Sequence, residues 1–136
     1  MPLPIVRQTA KQVQETGRVA DELEYLQAKY QYCCVLEKNK ALGIDSSLRL
    51  VLRRYAELLN GYRQYGIDAN GYRDLAVNYC QGLCLMAQVQ LRYGNREEAG
   101  LHVKNFLTMP HKYLLDRRLR DSLAQITQVQ QALRED

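Results

Sequence analysis

The feature that most constrains this sequence is the absence of proline between Pro4 and Pro110. Proline inside a helix removes a backbone hydrogen bond and collides with the preceding turn, so a long proline-free stretch permits continuous helices. Apolar residues in this stretch recur at spacings of three, four and seven, which is the pattern of a helix with one buried face. The sequence therefore predicts an all-α protein of about five helices.

The first helical pattern runs from about Ile5 to Leu42 and is interrupted at Thr16-Gly17. A single glycine costs a helix only about 1 kcal/mol, so the favoured interpretation is one continuous helix that frays before Gly17. The alternative is a break at this point, with Thr16 capping a second helix.

The tripeptide Gly-Ile-Asp occurs twice, at 43–45 and at 66–68, and each copy follows an apolar helical stretch. Glycine adopts the left-handed conformation that ends many helices, and aspartate or serine caps the helix that follows. We therefore expect two helix junctions here. They bound a second helix from about Ser46 to Tyr65 and start a third helix that runs from about Asn70 to Tyr93.

The third helix has small residues at its middle, namely Cys80, Gly82 and Cys84. The separation of two packed helices depends on the side chains at their contact. We therefore expect a neighbouring helix to approach closely here, and the third helix to form the centre of the fold.

Residues 79–110 have the pattern of two helices joined by a tight turn. Tyr93-Gly94-Asn95 is a stop signal, with Asn95 as the expected N-cap of the next helix and acidic residues in its first turn. The segment resembles a tetratricopeptide repeat, a helix–turn–helix unit of about 34 residues. The matching positions are Ala87, Gly94-Asn95, Ala99 and Pro110. The sequence departs from that pattern at Leu83, where the family has a large aromatic residue, and at Gln90, where it has tyrosine.

This resemblance implies antiparallel helical hairpins in a tetratricopeptide-like right-handed stack, while the helical pattern alone equally fits a helical bundle. We expect a single helical domain over residues 1–136. The repeat-like hairpin covers about 72–110, and a C-terminal helix at about 111–134 caps the stack.

Composition narrows the class of protein. The net charge of +4 is mild, and no apolar run approaches the roughly 18 residues that span a bilayer, so we expect no membrane segment.

The four cysteines lie inside helical patterns, as reduced core residues of a cytoplasmic protein do. Their spacing does not match a structural zinc site, so we expect no metal and no cofactor. His102 and His111 have no accompanying nucleophile motif, and we expect no catalytic residues and no enzymatic activity.

The chain has ten tyrosines and no tryptophan. Tyrosine suits surfaces that are apolar at one end and hydrated at the other, and it is frequent where proteins bind one another. We therefore predict a tyrosine-lined groove that holds a helix or an extended segment of another protein. The predicted lining residues are Tyr55, Tyr62, Tyr72, Tyr79, Gln90 and Tyr93. The resemblance implies an adaptor or a small chaperone, as in small bacterial proteins with degenerate repeats, and self-association is a further possibility.

The alternative function is nucleic-acid binding by a basic helical bundle. Arginines cluster on two helical segments, and guanidinium groups on one face contact phosphates. The candidate residues are Arg49, Arg53, Arg117 and Arg118. No helix-turn-helix or RNA-binding signature accompanies them, so nucleic acid is the second hypothesis.

Overall fold

The computed structural model describes residues 5–9, 11, 17–39 and 43–135. In this part of the chain the regular structure is helical, which confirms the all-α prediction. The helices are α1 (Val19–Lys38), α2 (Ile44–Asn60), α3 (Ala69–Arg92), α4 (Arg96–Leu107), α5 (His111–Leu114), a 3₁₀ helix (Arg117–Leu119) and α6 (Arg120–Arg134). Residues 5–9 are also helical. Among these described helices, none is both long and apolar enough to cross a bilayer.

The chain divides into two compact units, Met1–Arg53 and Arg54–Asp136, and α2 contributes to both. The single domain over residues 1–136 stays a prediction. In the first unit, the beginning of α2 buries one apolar face, and α1 buries residues on two sides of the helix, with the acidic Asp21 among them. The buried residues there are Leu26, Ala28 and Cys33 on α1, and Ile44, Leu48, Val51 and Leu52 on α2.

The interruption at Gly17 is a break between helices. Gly17 has a φ of 63°, and Arg18 is extended at the N-cap position before α1. A left-handed residue cannot continue a right-handed helix, so the predicted continuity is wrong and the helix begins at Val19. The alternative cap at Thr16 and the predicted end at Leu42 lie outside the described residues.

In the second unit, α3 is the central helix, because α4, α5, the 3₁₀ helix and α6 all pack against it. The close approach predicted at its small middle is confirmed by the contact with α6. The Cys84 thiol donates to Gln125 Oε1 at 3.2 Å and lies 3.6 Å from the carbonyl oxygen of Ser122. The small Cys84 side chain thus lets the backbone of α6 lie directly against α3 at this level.

The turn between α3 and α4 ends one helix and starts the next within three residues. Gly94 has a φ of 82°, and the Asn95 amide donates to the Gln90 carbonyl oxygen at 2.8 Å, which closes the helix end. Asn95 occupies the predicted N-cap position, but its side chain does not cap α4. Instead its Nδ2 donates to Gln90 Oε1 at 2.7 Å. Glu97 and Glu98 lie in the first turn, as predicted.

The C-terminal helix predicted at 111–134 is divided into three helices. Asp116 breaks it, because its carboxylate accepts a hydrogen bond from the Arg118 amide at 3.0 Å and so starts the 3₁₀ helix. The long helix α6 therefore begins only at Arg120. Its end is held by Arg96, which donates to the carbonyl oxygens of Ala132 and Leu133 at 3.2 and 2.7 Å. A cation at a helix C-terminus also complements the helix dipole.

A candidate protein-binding site lined by tyrosine

Three tyrosine rings form a continuous cluster at one end of α3. The rings of Tyr62 and Tyr72 have centroids 4.7 Å apart in an edge-to-face arrangement, and those of Tyr72 and Tyr113 are 5.6 Å apart. Both distances lie in the favourable range for aromatic pairs. The cluster lines a surface depression of about 390 Å³. Its lining residues are Tyr62, Ala69, Tyr72, Pro110, Lys112 and Tyr113.

The turn between α2 and α3 brings Tyr62 to Tyr72. Gly66 has a φ of 71°, and the Ile67 amide donates to the Tyr62 carbonyl oxygen at 2.9 Å. Asp68 then caps α3, because its Oδ1 accepts from the Gly71 amide at 2.7 Å. The predicted glycine and aspartate roles are confirmed at this junction. The turn therefore places Tyr62 beside the first turn of α3, where the ring of Tyr72 packs edge-to-face against it.

Cations lie over the rings at the edge of the depression. The Arg63 guanidinium is 5.6 Å from the Tyr62 ring centroid, and its Nε donates to the Tyr62 hydroxyl at 3.1 Å. Lys112 Nζ and the Arg73 guanidinium lie 5.0 and 5.3 Å from the Tyr113 ring. Such contacts contribute about 0.5–1 kcal/mol each at exposed sites. Among the described residues, no carboxylate forms an ion pair with Arg63 or Lys112.

A network of charges fixes the segment that carries Tyr113 onto α3. Arg118 forms a two-pronged ion pair with Asp116, both contacts at 3.0 Å, and also donates to Asp74 at 2.9 Å. Arg73 donates to the Lys112 carbonyl oxygen at 3.0 Å and lies 3.6 Å from Asp116. The hydrogen bonds from Arg118 hold the pKa of Asp116 well below its usual range. Partial burial, together with the neighbouring phenols of Tyr113 and Tyr62, raises the pKa of Tyr72.

Of the six residues predicted to bind a partner, the structure brings together Tyr62 and Tyr72. Tyr79 is partly buried on a later turn of α3, and Tyr93 is 38% exposed at the other end of that helix. Tyr55 and Gln90 are fully buried, so neither presents surface to a partner, and we correct their assignment. Burial also raises the pKa of Tyr55.

Sequence reasoning missed Tyr113, Pro110 and Lys112 as members of the site. Tyr113 is 41 positions after Tyr72 along the chain, and helical spacing cannot connect residues on different elements. The sequence signal that could have indicated them is local. A proline, a lysine and a tyrosine lie within four residues, where one helix ends and the next begins.

The arginines of the alternative hypothesis do not form a common cluster within one unit. Arg49 and Arg53 lie on α2 in the first unit, whereas Arg117 and Arg118 belong to the second. Arg118 already donates to two carboxylates, so a phosphate would have to displace Asp116 and Asp74. This arrangement favours a structural role for Arg118.

Cys33, Cys80 and Cys84 are buried in the helical core, whereas Cys34 is partly exposed. Burial raises the pKa of the Cys33 thiol to about 11 and that of Cys80 to about 12, so both are protonated at neutral pH. Burial also raises the pKa of Cys34. Among the described residues, no group of three or more histidine, cysteine and acidic side chains converges as a metal site would require.

Comparison of the chain with protein families, with curated proteins and with solved structures gives no match. The tetratricopeptide resemblance therefore stays a prediction, and the tyrosine-lined depression is defined by its own geometry.

Proposed function

We propose that this protein is a non-catalytic protein–protein interaction module, an adaptor or small chaperone, that holds an extended segment of its partner on the tyrosine-lined depression. The observation that carries this proposal is the cluster of Tyr62, Tyr72 and Tyr113 around a concave surface, with cations at its edge. Clustered aromatic residues beside positive charge are characteristic of protein-binding surfaces.

The size of the depression favours an extended segment over a helix as the bound element. Its volume of about 390 Å³ is at the lower end of the range for binding pockets, roughly 300–1,000 Å³. That space accommodates a few side chains. Tyrosine rings bind proline and aromatic side chains well, and Arg63 and Lys112 offer charges for an acidic residue. The expected ligand is therefore an extended acidic segment with a proline or an aromatic residue.

We also propose that α3 and α4 form a tetratricopeptide-like antiparallel hairpin. Ala87 and Ala99, the small residues of the resemblance, are both fully buried, and α3 and α4 pack against each other across a short turn. Small buried residues on two consecutive helices allow the close packing that this repeat uses.

The first test is affinity capture of the tagged protein from its native cell extract, with nuclease treatment and mass spectrometry. We expect one stoichiometric protein partner to survive nuclease treatment and to be lost from the Tyr62→Ala and Tyr72→Ala variants. Tyr93→Ala is the matched control, since this ring is exposed at the other end of α3.

A synthetic peptide from the captured partner then measures affinity by isothermal titration calorimetry. Truncation of one central ring is expected to weaken binding by about 30-fold, as for a hot-spot residue worth about 2 kcal/mol. Unchanged capture by both folded tyrosine variants would show that the site is wrong. Loss of all bound material on nuclease treatment would instead support the nucleic-acid hypothesis.

A further inference from the structure

The outer surface of α4 is a second exposed face, and it shares no residue with the tyrosine-lined depression. Leu101 is 53% exposed on this face and Leu107 is 41% exposed. Two depressions, of about 980 and 380 Å³, adjoin this face and share Gly100 and Lys104. The second reaches α6 at Gln130, Leu133 and Arg134.

The same face carries one acidic and one basic side chain that form no ion pair with the residues the structure describes. Glu97 and Lys104 are both exposed and are seven positions apart, about 10 Å along the helix. The acidic residue is near the start of α4 and the basic residue is near its end, with Leu101 between them.

We propose that this face binds a second copy of the same chain through an antiparallel, two-fold symmetric pairing of α4 helices. In that arrangement Glu97 of each copy faces Lys104 of the second copy, so two ion pairs form. Leu101 of each copy then lies beside Gly100 of the other, close to the symmetry axis. A two-fold interface uses the same patch on both chains, and this patch is complementary to itself in charge. A parallel pairing would instead set Glu97 against Glu97.

The expected dimer is weak. One pair of helices buries less than the roughly 1,200–2,000 Å² of a standard stable interface, and the ion pairs are exposed to solvent. We therefore expect a dissociation constant in the micromolar range that rises with salt.

Charge reversal tests the arrangement directly by sedimentation equilibrium at low salt, from about 10 µM to 1 mM protein. We expect Glu97→Lys and Lys104→Glu each to raise the dissociation constant at least about tenfold, because like charges then face each other. The double variant, Glu97→Lys with Lys104→Glu, is expected to return to within about threefold of the original value. Arg120→Glu is the matched control, an exposed charge reversal on another helix.

A second readout locates the symmetry axis. Leu101→Cys is expected to give a disulfide-linked dimer on mild oxidation, whereas Leu115→Cys, at a residue that is 79% exposed on another segment, is expected to stay monomeric. A monomer throughout the concentration range would overturn the proposal. A dimer that is insensitive to both single reversals, or a double variant that does not recover, would equally overturn it.

Discussion

The hydrogen bond between the buried Gln90 and the exposed Asn95 gives a sharp test of how the turn between α3 and α4 is stabilised. Gln90 is fully buried, and its Oε1 accepts a hydrogen bond of 2.7 Å from Asn95 Nδ2. Its Nε2 lies 3.3 Å from the sulfur of Met86, a weak acceptor. The Asn95→Ala substitution therefore removes the principal partner of a buried carbonyl oxygen.

The expected loss in free energy of unfolding is about 1–3 kcal/mol, the cost of leaving a buried polar group without its hydrogen bond. Loss of a helix cap does not add to it, because the Asn95 side chain makes no capping hydrogen bond. In a Gln90→Met background the acceptor is gone, and an apolar side chain of similar length lies beside Met86. In this background Asn95→Ala is expected to lower the free energy of unfolding by clearly less, and the difference gives a coupling energy of about 1–2 kcal/mol between the two residues.

Urea unfolding followed by circular dichroism and by tyrosine fluorescence measures these free energies. With a slope of about 2 kcal/mol per molar urea, a loss of 2 kcal/mol lowers the midpoint by about 1 M. Coincidence of the two signals checks that a single transition is being measured. Asn105→Ala on α4 is the matched control. A coupling below about 0.5 kcal/mol would refute the view that Asn95 satisfies the buried Gln90 amide.

Three further predictions concern backbone, acid and thiol chemistry. Gly94→Ala is expected to lower the free energy of unfolding by about 1–2 kcal/mol, because Gly94 has a φ of 82°. By contrast, Gly100→Ala is expected to raise the free energy of unfolding by about 0.5–1 kcal/mol, because alanine favours a helix and its Cβ would make an ordinary contact, at 3.8 Å, with Leu133. A urea midpoint equal to that of the original protein would contradict either prediction. The lowered pKa of Asp116 means that its stabilisation is complete above its unfolded pKa, near 3.8, and is lost as the pH falls below that value. Asp116→Asn is therefore expected to lose less stability than the original protein between about pH 5 and pH 2, and parallel profiles would contradict this. Iodoacetamide at about pH 8 is expected to modify the partly exposed Cys34 before the buried Cys80, as peptide mass spectrometry would show, and the reverse order would argue against the burial of Cys80.

Local stereochemistry explains which features could be predicted from the sequence. Glycines 43, 66 and 94 all adopt positive φ, as the helix-ending pattern predicts, because only glycine takes this conformation without steric cost. The sequence determines less well where the next helix begins after each glycine. Asp68 caps α3, whereas at the other Gly-Ile-Asp copy α2 begins at Ile44 and Asp45 lies in its first turn. The same tripeptide thus lies at two different positions relative to the first residue of the helix.

Contacts that a residue makes outside its own helix explain what could not be predicted. Gln90 is polar and is predicted to line the partner groove, but the turn five residues later supplies a hydrogen bond to its buried side chain. The predicted groove contains Tyr62 and Tyr72 but omits Tyr113, whereas the observed cluster joins all three rings from separate segments of the chain. Helical periodicity reports which residues share a face, and only tertiary packing decides which faces meet.

The position of the Cys84 contact on α6 has a consequence for the order in which the second unit folds. The partners of Cys84 lie 38 and 41 residues further along the chain, whereas α3 and α4 are joined by a three-residue turn. Closing the longer loop costs more chain entropy, so pairing of α3 with α4 is expected to precede the arrival of α6. Substitutions at Phe106 would then slow folding, and substitutions at Ile126 would mainly speed unfolding, which stopped-flow kinetics would distinguish.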